Sequence, residues 1–572
     1  MNTDNPNNTE INYKFWISAI FILATTLLFC GVWWGWPTTY DQHDPTRKAI
    51  QMLWNRTLDS GVRPWGNFGY QEVLLFAVVP VTLLKKTFSL DPQLAEALIY
   101  LATRILWAIK ALGIVGLTWI SANALFNDRR TALVASGLVV VAPGFIAWAH
   151  IPQVDMPQAF WYALALALTA TGWRRENTRL LWFAAVAAGL AAGAKYIGGI
   201  VVIAPMITAF LVLRARQAIW LAFALGACAV LVFAITTPLS TGAPIQWLPE
   251  FTADLLANRH REVWKPIALW TMPGSIWDLI GPATALMGIA GVALLFTHRT
   301  PAVNRAAWLI LLSCLLPYYA ALAWQHVATV RYVLPLTPVL AIAIAALISR
   351  VWSLPYVGRA VKQGLAVTAV VQLILVVALV TGLTTETRDR LTLWMDAHTG
   401  PDDQVETLLN HRPYFTADTD FKELTRPHFQ AESFNMWREK QQDTESSIWQ
   451  LHKLFLQWAG REPDTLLTWV DRERIWIDRM ASEFDTGIDG PVLRGSKYVV
   501  INRNTASHYV LDWPGIDPAS PNEKDFYHAL IEEQGPFRHV VRFESPVPEW
   551  LRYPTELWIN ISPTIDVYEV TG

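Results

Sequence analysis

The sequence predicts a polytopic α-helical membrane protein of about 11 spans, followed by a C-terminal extracytoplasmic α/β domain. Three observations predict it. Long apolar runs alternate with short basic turns from about residue 14 to residue 383. The remainder, 384–572, is polar and mixed. Of 572 residues, 53% are hydrophobic and 16% charged, with mean hydropathy +0.27. That balance excludes a purely soluble enzyme and a disordered chain. A net charge of −2 offers no footprint for nucleic acid.

The spans are expected at roughly 15–36, 98–126, 131–149, 157–173, 179–194, 196–213, 217–237, 276–297, 306–324, 331–349 and 363–383. Each approaches the ~20 residues that cross hydrocarbon as a helix. The N-terminus up to Lys14 is polar and lacks the basic region of a cleaved signal peptide, so the first run is expected to stay as an anchor. The turns rich in arginine are Asn127–Arg130, Trp173–Arg175, Arg214–Arg216, His298–Arg305 and Arg350–Lys362. The positive-inside rule puts all of them in the cytoplasm. One apolar run, Gln71–Leu84, is short, contains Pro80 and ends at Lys85–Lys86. Were it to cross, every later basic turn would move outside. Parity therefore places it in the outer interface as an amphipathic or re-entrant helix. Tryptophans at segment ends (Trp33, Trp34, Trp36, Trp148, Trp161, Trp173, Trp324) read as an interfacial belt, with sugar stacking open for a few in loops.

The tail is expected to form one α/β domain, with a boundary at 383/384. Lys497–Asn502, His539–Phe543 and Ile565–Val570 read as strands, and Ser446–Trp458 as a helix. All three cysteines (Cys30, Cys228, Cys314) lie in expected spans, which points to neither disulfides nor a cysteine metal site.

The informative charges gather on the outer side. Asp41 and Asp44 follow the first span. Asp155 opens the fourth. Lys195–Tyr196 interrupts a glycine- and alanine-rich run, Arg331 opens a late span, and Arg104 lies inside the second. A charge at the bilayer centre costs roughly 2.5–3.5 kcal/mol on insertion scales, so several at one level suggest a shared polar cavity. Taken singly, each has a plain alternative. Asp41, Asp44 and Asp155 fit helix N-caps or loop carboxylates. Lys195 and Arg331 fit snorkelling cations. His43, His150, His260 and His326 leave a divalent metal open, although no spacing matches a dedicated ligand motif. The chain has no glycine-rich phosphate loop and no G-x-S-x-G elbow.

In order, these residues resemble the GT-C superfamily of membrane glycosyltransferases. The nearest likeness is to the protein mannosyltransferase type (glycosyltransferase family 39), which includes the aminoarabinose transferases of lipid A. The family's acidic first-loop motif is matched by Asp41–Asp44, although Pro45 follows where glutamate is usual. Its interfacial element is matched by Phe68–Gly69–Tyr70–Gln71–Glu72, without the family's prolines. Its arginine opening the second span is matched by Arg104, and its second aspartate by Asp155–Met156–Pro157. Gly189–Tyr196 matches a Gly-x-x-x-Gly-x-Lys-Tyr run, and Arg331–Pro338 an Arg-Tyr-x-x-Pro-x-x-Pro run. The resemblance covers about 12–383, and the tail more weakly. It implies a polyprenyl-phosphate sugar donor, an extracytoplasmic acceptor hydroxyl (of a glycan, lipid or protein) and an inverting transfer.

On that reading Asp44 is the base, with Asp41 its competitor. Arg331, Lys195 and Arg104 stabilise the departing phosphate, in that order. Asp155, Glu72, Tyr70 and Tyr196 orient sugar and acceptor, and Trp247, His260 and Trp264 form a lid. A transporter or flippase of a lipid-linked sugar is the rival from another class, disfavoured because no halves repeat and the charges sit at one boundary. A structural protein whose tail binds a partner is a third.

Overall fold

The structure is a computed structural model. It describes residues 6–32, 45–61, 66–242, 245, 247–249, 251–252, 268–295, 302–324, 329–352, 358–400, 403–408, 420–423, 487–503, 506, 521–554, 558 and 561–571. The chain divides into two compact units. One comprises 1–33, 43–247 and 267–380, the other 34–42, 248–266 and 381–572.

Among its described residues, the first unit has helices and no strands. In order it contains α1 (Pro6–Phe29), α2 (Pro45–Trp54), α3 (Phe68–Val73), α4 (Val79–Phe88), α5 (Pro92–Phe126), α6 (Arg129–Val140), α7 (Pro143–His150), α8 (Asp155–Arg174), α9 (Thr178–Ala194), α10 (Ile203–Val212), α11 (Ala215–Thr236), α12 (Ala268–Ile280), α13 (Pro282–Leu295), α14 (Ala302–Trp324) and α15 (Thr337–Trp352). Helix α16 (Gly358–Thr384) begins in this unit, and its last four residues are assigned to the second. Local chemistry sets the ends. Asp128 caps α6 by accepting from the amides of Arg130 and Thr131 at 3.0 and 3.1 Å. Asn177 caps α9 through the Arg179 amide at 3.0 Å. Prolines start α7 and α13, where a missing N–H does no harm.

Among the described residues, six helices are long and apolar enough to cross a membrane, or seven if the pair α6–α7, bent by 57°, counts as one span. Several expected spans are broken. The run at 196–213 starts as a 3-10 turn (Tyr196–Val202) before α10, and that at 331–349 as a 3-10 turn (Val330–Leu336) before α15. The run at 276–297 breaks at Gly281 (φ +83), between α12 and α13. The run expected in the interface is one continuous helix of 21 residues, Phe68–Phe88, in which a π-helical turn (Leu74–Val78) joins α3 to α4. Its length and apolarity pass the same test as the spans.

Small residues let these helices approach closely. A Cβ on Gly189 of α9 would lie 2.6 Å from both the Ala229 carbonyl oxygen and Val232 Cβ of α11. The outer faces carry large apolar side chains, such as Phe223 at 70% and Trp220 at 69% exposure on α11, as lipid contact requires.

The second unit contains α17 (Thr387–His398), α18 (Gly490–Leu493), α19 (Pro521–Ile531) and a five-stranded sheet. Its strands are β1 (Gln404–Leu408), β2 (Asp420–Glu423), β3 (Ser496–Asn502), β4 (Phe537–Phe543) and β5 (Ile565–Val570), in the order β2-β1-β3-β5-β4. β1 runs parallel to β2 and β3, and β5 antiparallel to β3 and β4. Alternation sends Val499, Ile501 and Tyr568 to one face, against Phe526 and Leu530 of α19. Val500, Ile565 and Val567 go to the other, against Leu391 and Met395 of α17. The three strands expected from sequence are present, while β1 and β2 are additions. The helix expected at 446–458 lies outside the described residues.

Candidate active site

Three of the sequence candidates converge. Asp155 is the first residue of α8, and Lys195 sits in the break between α9 and its following 3-10 turn. The break is needed because Gly198 folds back on α9: a Cβ there would lie 2.7 Å from the Ala191 carbonyl oxygen. The break aims Lys195 Nζ at Asp155 Oδ1, 2.7 Å away, with both side chains buried. Beneath the ammonium lies the Tyr332 ring, 3.6 Å to its centroid. Arg331 Nη2 donates to the Tyr332 hydroxyl at 3.1 Å, and its guanidinium sits 4.9 Å from that ring. Two cations therefore share one aromatic platform.

The platform is itself fixed. Tyr318 of α14 donates to the Tyr332 backbone carbonyl at 2.9 Å, and Gln158 of α8 donates to the Tyr318 hydroxyl at 3.1 Å. Gly144 of α7 packs against the same turn, since a Cβ there would lie 3.0 Å from Val330 Cγ1. The network thus ties α8, the Lys195 break, α14 and the Val330–Leu336 turn together.

The other candidates sit elsewhere or outside the described residues. Glu72 forms a separate pair with Lys110 of α5, Nζ to Oε1 at 2.6 Å. Tyr70 is buried on α3, Tyr196 opens the turn beside Lys195, and Arg104 is buried in α5 within electrostatic range of His150. Both ring nitrogens of His150 face backbone carbonyls, Ile146 O at 2.8 Å and Cys30 O at 3.0 Å. That leaves His150 no nitrogen for a metal. Among the described residues no three His, Cys, Asp or Glu side chains group as a metal site. Trp247 is buried edge-on to Phe233 of α11, with centroids 5.4 Å apart. Asp41, Asp44, His43, His260, Trp264 and His326 lie outside the described residues.

Lys110, Gln158 and Tyr318 are not among the sequence candidates, and Trp161, expected in the interfacial belt, instead donates to Glu72 Oε1 at 3.0 Å. For Lys110 the signal was available: a lysine in the middle of an apolar 35-residue helix is a functional flag in its own right. For the polar Gln158 and the two aromatics no pattern separates a network member from ordinary helix packing.

Residues 94–241 match the family described as dolichyl-phosphate-mannose-protein mannosyltransferase. The apo crystal structure of ArnT from Cupriavidus metallidurans aligns with TM-score 0.50 and 12% identity, over 89% of this chain and 97% of that one. The chain shares the fold of that structure. ArnT from the same organism bound to undecaprenyl phosphate gives TM-score 0.47 and 12% identity over 96% and 98%. The archaeal oligosaccharyltransferase AglB from Archaeoglobus fulgidus, complexed with an inhibitory peptide and a dolichol-phosphate, gives 0.46 and 12% over 97% and 88%. Comparison with curated protein sequences finds no match. The matched segment runs from α5 through α11 and holds Arg104, Asp155 and Lys195.

Proposed function

We propose that this chain is a membrane glycosyltransferase. It moves a sugar from a polyprenyl-phosphate donor to an acceptor hydroxyl on the extracytoplasmic side. The observation that carries the reading is the buried Asp155–Lys195 pair set on Tyr332 with Arg331 alongside. The match to a dolichyl-phosphate-mannose-dependent family and the fold support it.

The chemistry divides among the residues. The acceptor oxygen attacks the anomeric carbon while the bond from that carbon to the phosphate oxygen breaks. The acceptor proton passes to a carboxylate, assigned to Asp44 with Asp41 as competitor. The sugar inverts, and polyprenyl phosphate leaves with the bonding electron pair. Half-buried Arg331, beside Tyr332, is the cation assigned first to the departing phosphate, with Lys195, held on Asp155, next to it. Asp155, oriented by Lys195, accepts hydrogen bonds from sugar hydroxyls.

The protein is assigned to the cell's inner membrane, multi-pass, with a cytoplasmic N-terminus. Residues 1–383 form the transferring half and 384–572 the extracytoplasmic domain. The test is release of free polyprenyl phosphate with sugar appearing on an envelope acceptor. Comparing envelope glycans with and without the protein identifies both substrates. Asp44→Asn is expected to insert normally and transfer nothing, and wild-type turnover in that variant would remove Asp44 as base. Broken helices are also a transporter feature; sugar delivered across the bilayer with no release of polyprenyl phosphate would favour that rival.

A further inference from the structure

We infer that Lys110 is a positioning residue of this transferase: it holds the Glu72 carboxylate so that Oε2 is left to accept a hydrogen bond from a sugar or acceptor hydroxyl. The inference rests on the transferase reading.

Three groups fix one oxygen. Lys110 Nζ lies 2.6 Å from Glu72 Oε1, and the Trp161 indole donates to that same oxygen at 3.0 Å. The ammonium is boxed by the rings of Phe160 and Trp161, at 4.8 and 5.2 Å from their centroids. Both charged side chains are almost wholly buried. The second oxygen, Oε2, is buried and has no hydrogen-bond partner among the described residues. Buried acceptors are nearly always satisfied, so an empty one calls for an explanation.

The position of Glu72 supplies the explanation. Its helix α3 is wedged against both segments that carry the Asp155–Lys195 pair. A Cβ on Gly69 would lie 3.1 Å from Val154 Cγ1, one residue before Asp155. A Cβ on Gly66, just before α3, would lie 2.5 Å from the Gly193 carbonyl oxygen, two residues before Lys195. The π-helical turn begins two residues after Glu72, and such turns concentrate at functional sites. Structural glue is a poor account of the pair. A buried ion pair generally contributes no more stability than apolar residues of like volume, and this one leaves an acceptor unfilled.

The test uses the full-length protein in nanodiscs, with the donor and acceptor found by the release assay. The variants are Lys110→Met, Lys110→Arg, the neutral pair Glu72→Gln/Lys110→Met and the swapped pair Glu72→Lys/Lys110→Glu. Lys110→Met and both double variants are expected to lose transfer by roughly a hundredfold. Lys110→Arg should keep most of it. The double variants contain no unpaired buried charge, so they accumulate even where Lys110→Met does not. Wild-type rates in the neutral or the swapped pair would show the pair to be structural and overturn the inference. So would full activity in Lys110→Met. A wild-type protein that releases no polyprenyl phosphate overturns the transferase reading itself, and the role of Lys110 with it.

Discussion

Tyr332 shows how much one side chain carries. Its ring faces the Lys195 ammonium and its hydroxyl accepts from Arg331. The two functions separate by substitution. Tyr332→Phe keeps the ring and loses one charge-assisted hydrogen bond, so transfer should fall about tenfold. Tyr332→Leu also loses the cation–π contact, worth ~2 kcal/mol in a desolvated site, and should fall about a hundredfold or more. Equal rates for the two variants would show that the ring contributes nothing. Tyr318 still donates to the backbone carbonyl of residue 332 in both, so neither variant frees the turn.

At the scale of elements, β5 offers a cleaner case because it lies outside the membrane. Asp566 is fully buried and receives Arg542 Nε at 2.6 Å, Arg503 Nη1 at 2.8 Å and His539 Nε2 at 3.2 Å. Burial alone would push its carboxyl up. The hydrogen bonds from Arg542 and Arg503 outweigh that and hold it below the usual carboxylate range. Just before β1, the Lys497 ammonium of β3 likewise holds the Asp403 carboxyl down. A carboxylate lowered in the folded state contributes stability above its unfolded value of about 4, and that stability drains away as pH falls through the folded value. The tail should therefore unfold at progressively lower temperature below about pH 4, followed by tryptophan fluorescence of the whole protein. Asp566→Asn should cost roughly 2 kcal/mol at neutral pH, the arginines being about one-third exposed, and should blunt the acid sensitivity. An unchanged acid profile in that variant would shift the explanation to other carboxylates.

For the whole molecule, the direction in which the chain threads the bilayer sets the level of every buried charge. Lys110 lies sixteen residues before the end of α5, about 24 Å along the helix axis. If Asn127–Arg130 is cytoplasmic, that puts Lys110 in the outer part of the membrane, the level expected for Arg104, Asp155 and Lys195. The helix Phe68–Phe88 decides the parity. A membrane-impermeant label on a cysteine introduced at Ser89 or at Gly61 should react from outside in both cases, since an interfacial helix keeps its two ends on one side. Labelling of only one of them would make that helix a span and reverse every later segment.

The polytopic helical body and the three core strands follow from composition, basic turns and period-two alternation, because each is a local or short-range property. The likeness to membrane glycosyltransferases was legible too, since it rests on charges kept, at a cost, in apolar surroundings. What only the tertiary structure decided is pairing. Asp155 chooses Lys195, Glu72 chooses Lys110, and Tyr332 collects Arg331 and Lys195 because glycine contacts and helix breaks bring them within ångströms. Sequence spacing does not encode which distant helices meet. Packing of small residues does, and that interaction exists only once the bundle has formed.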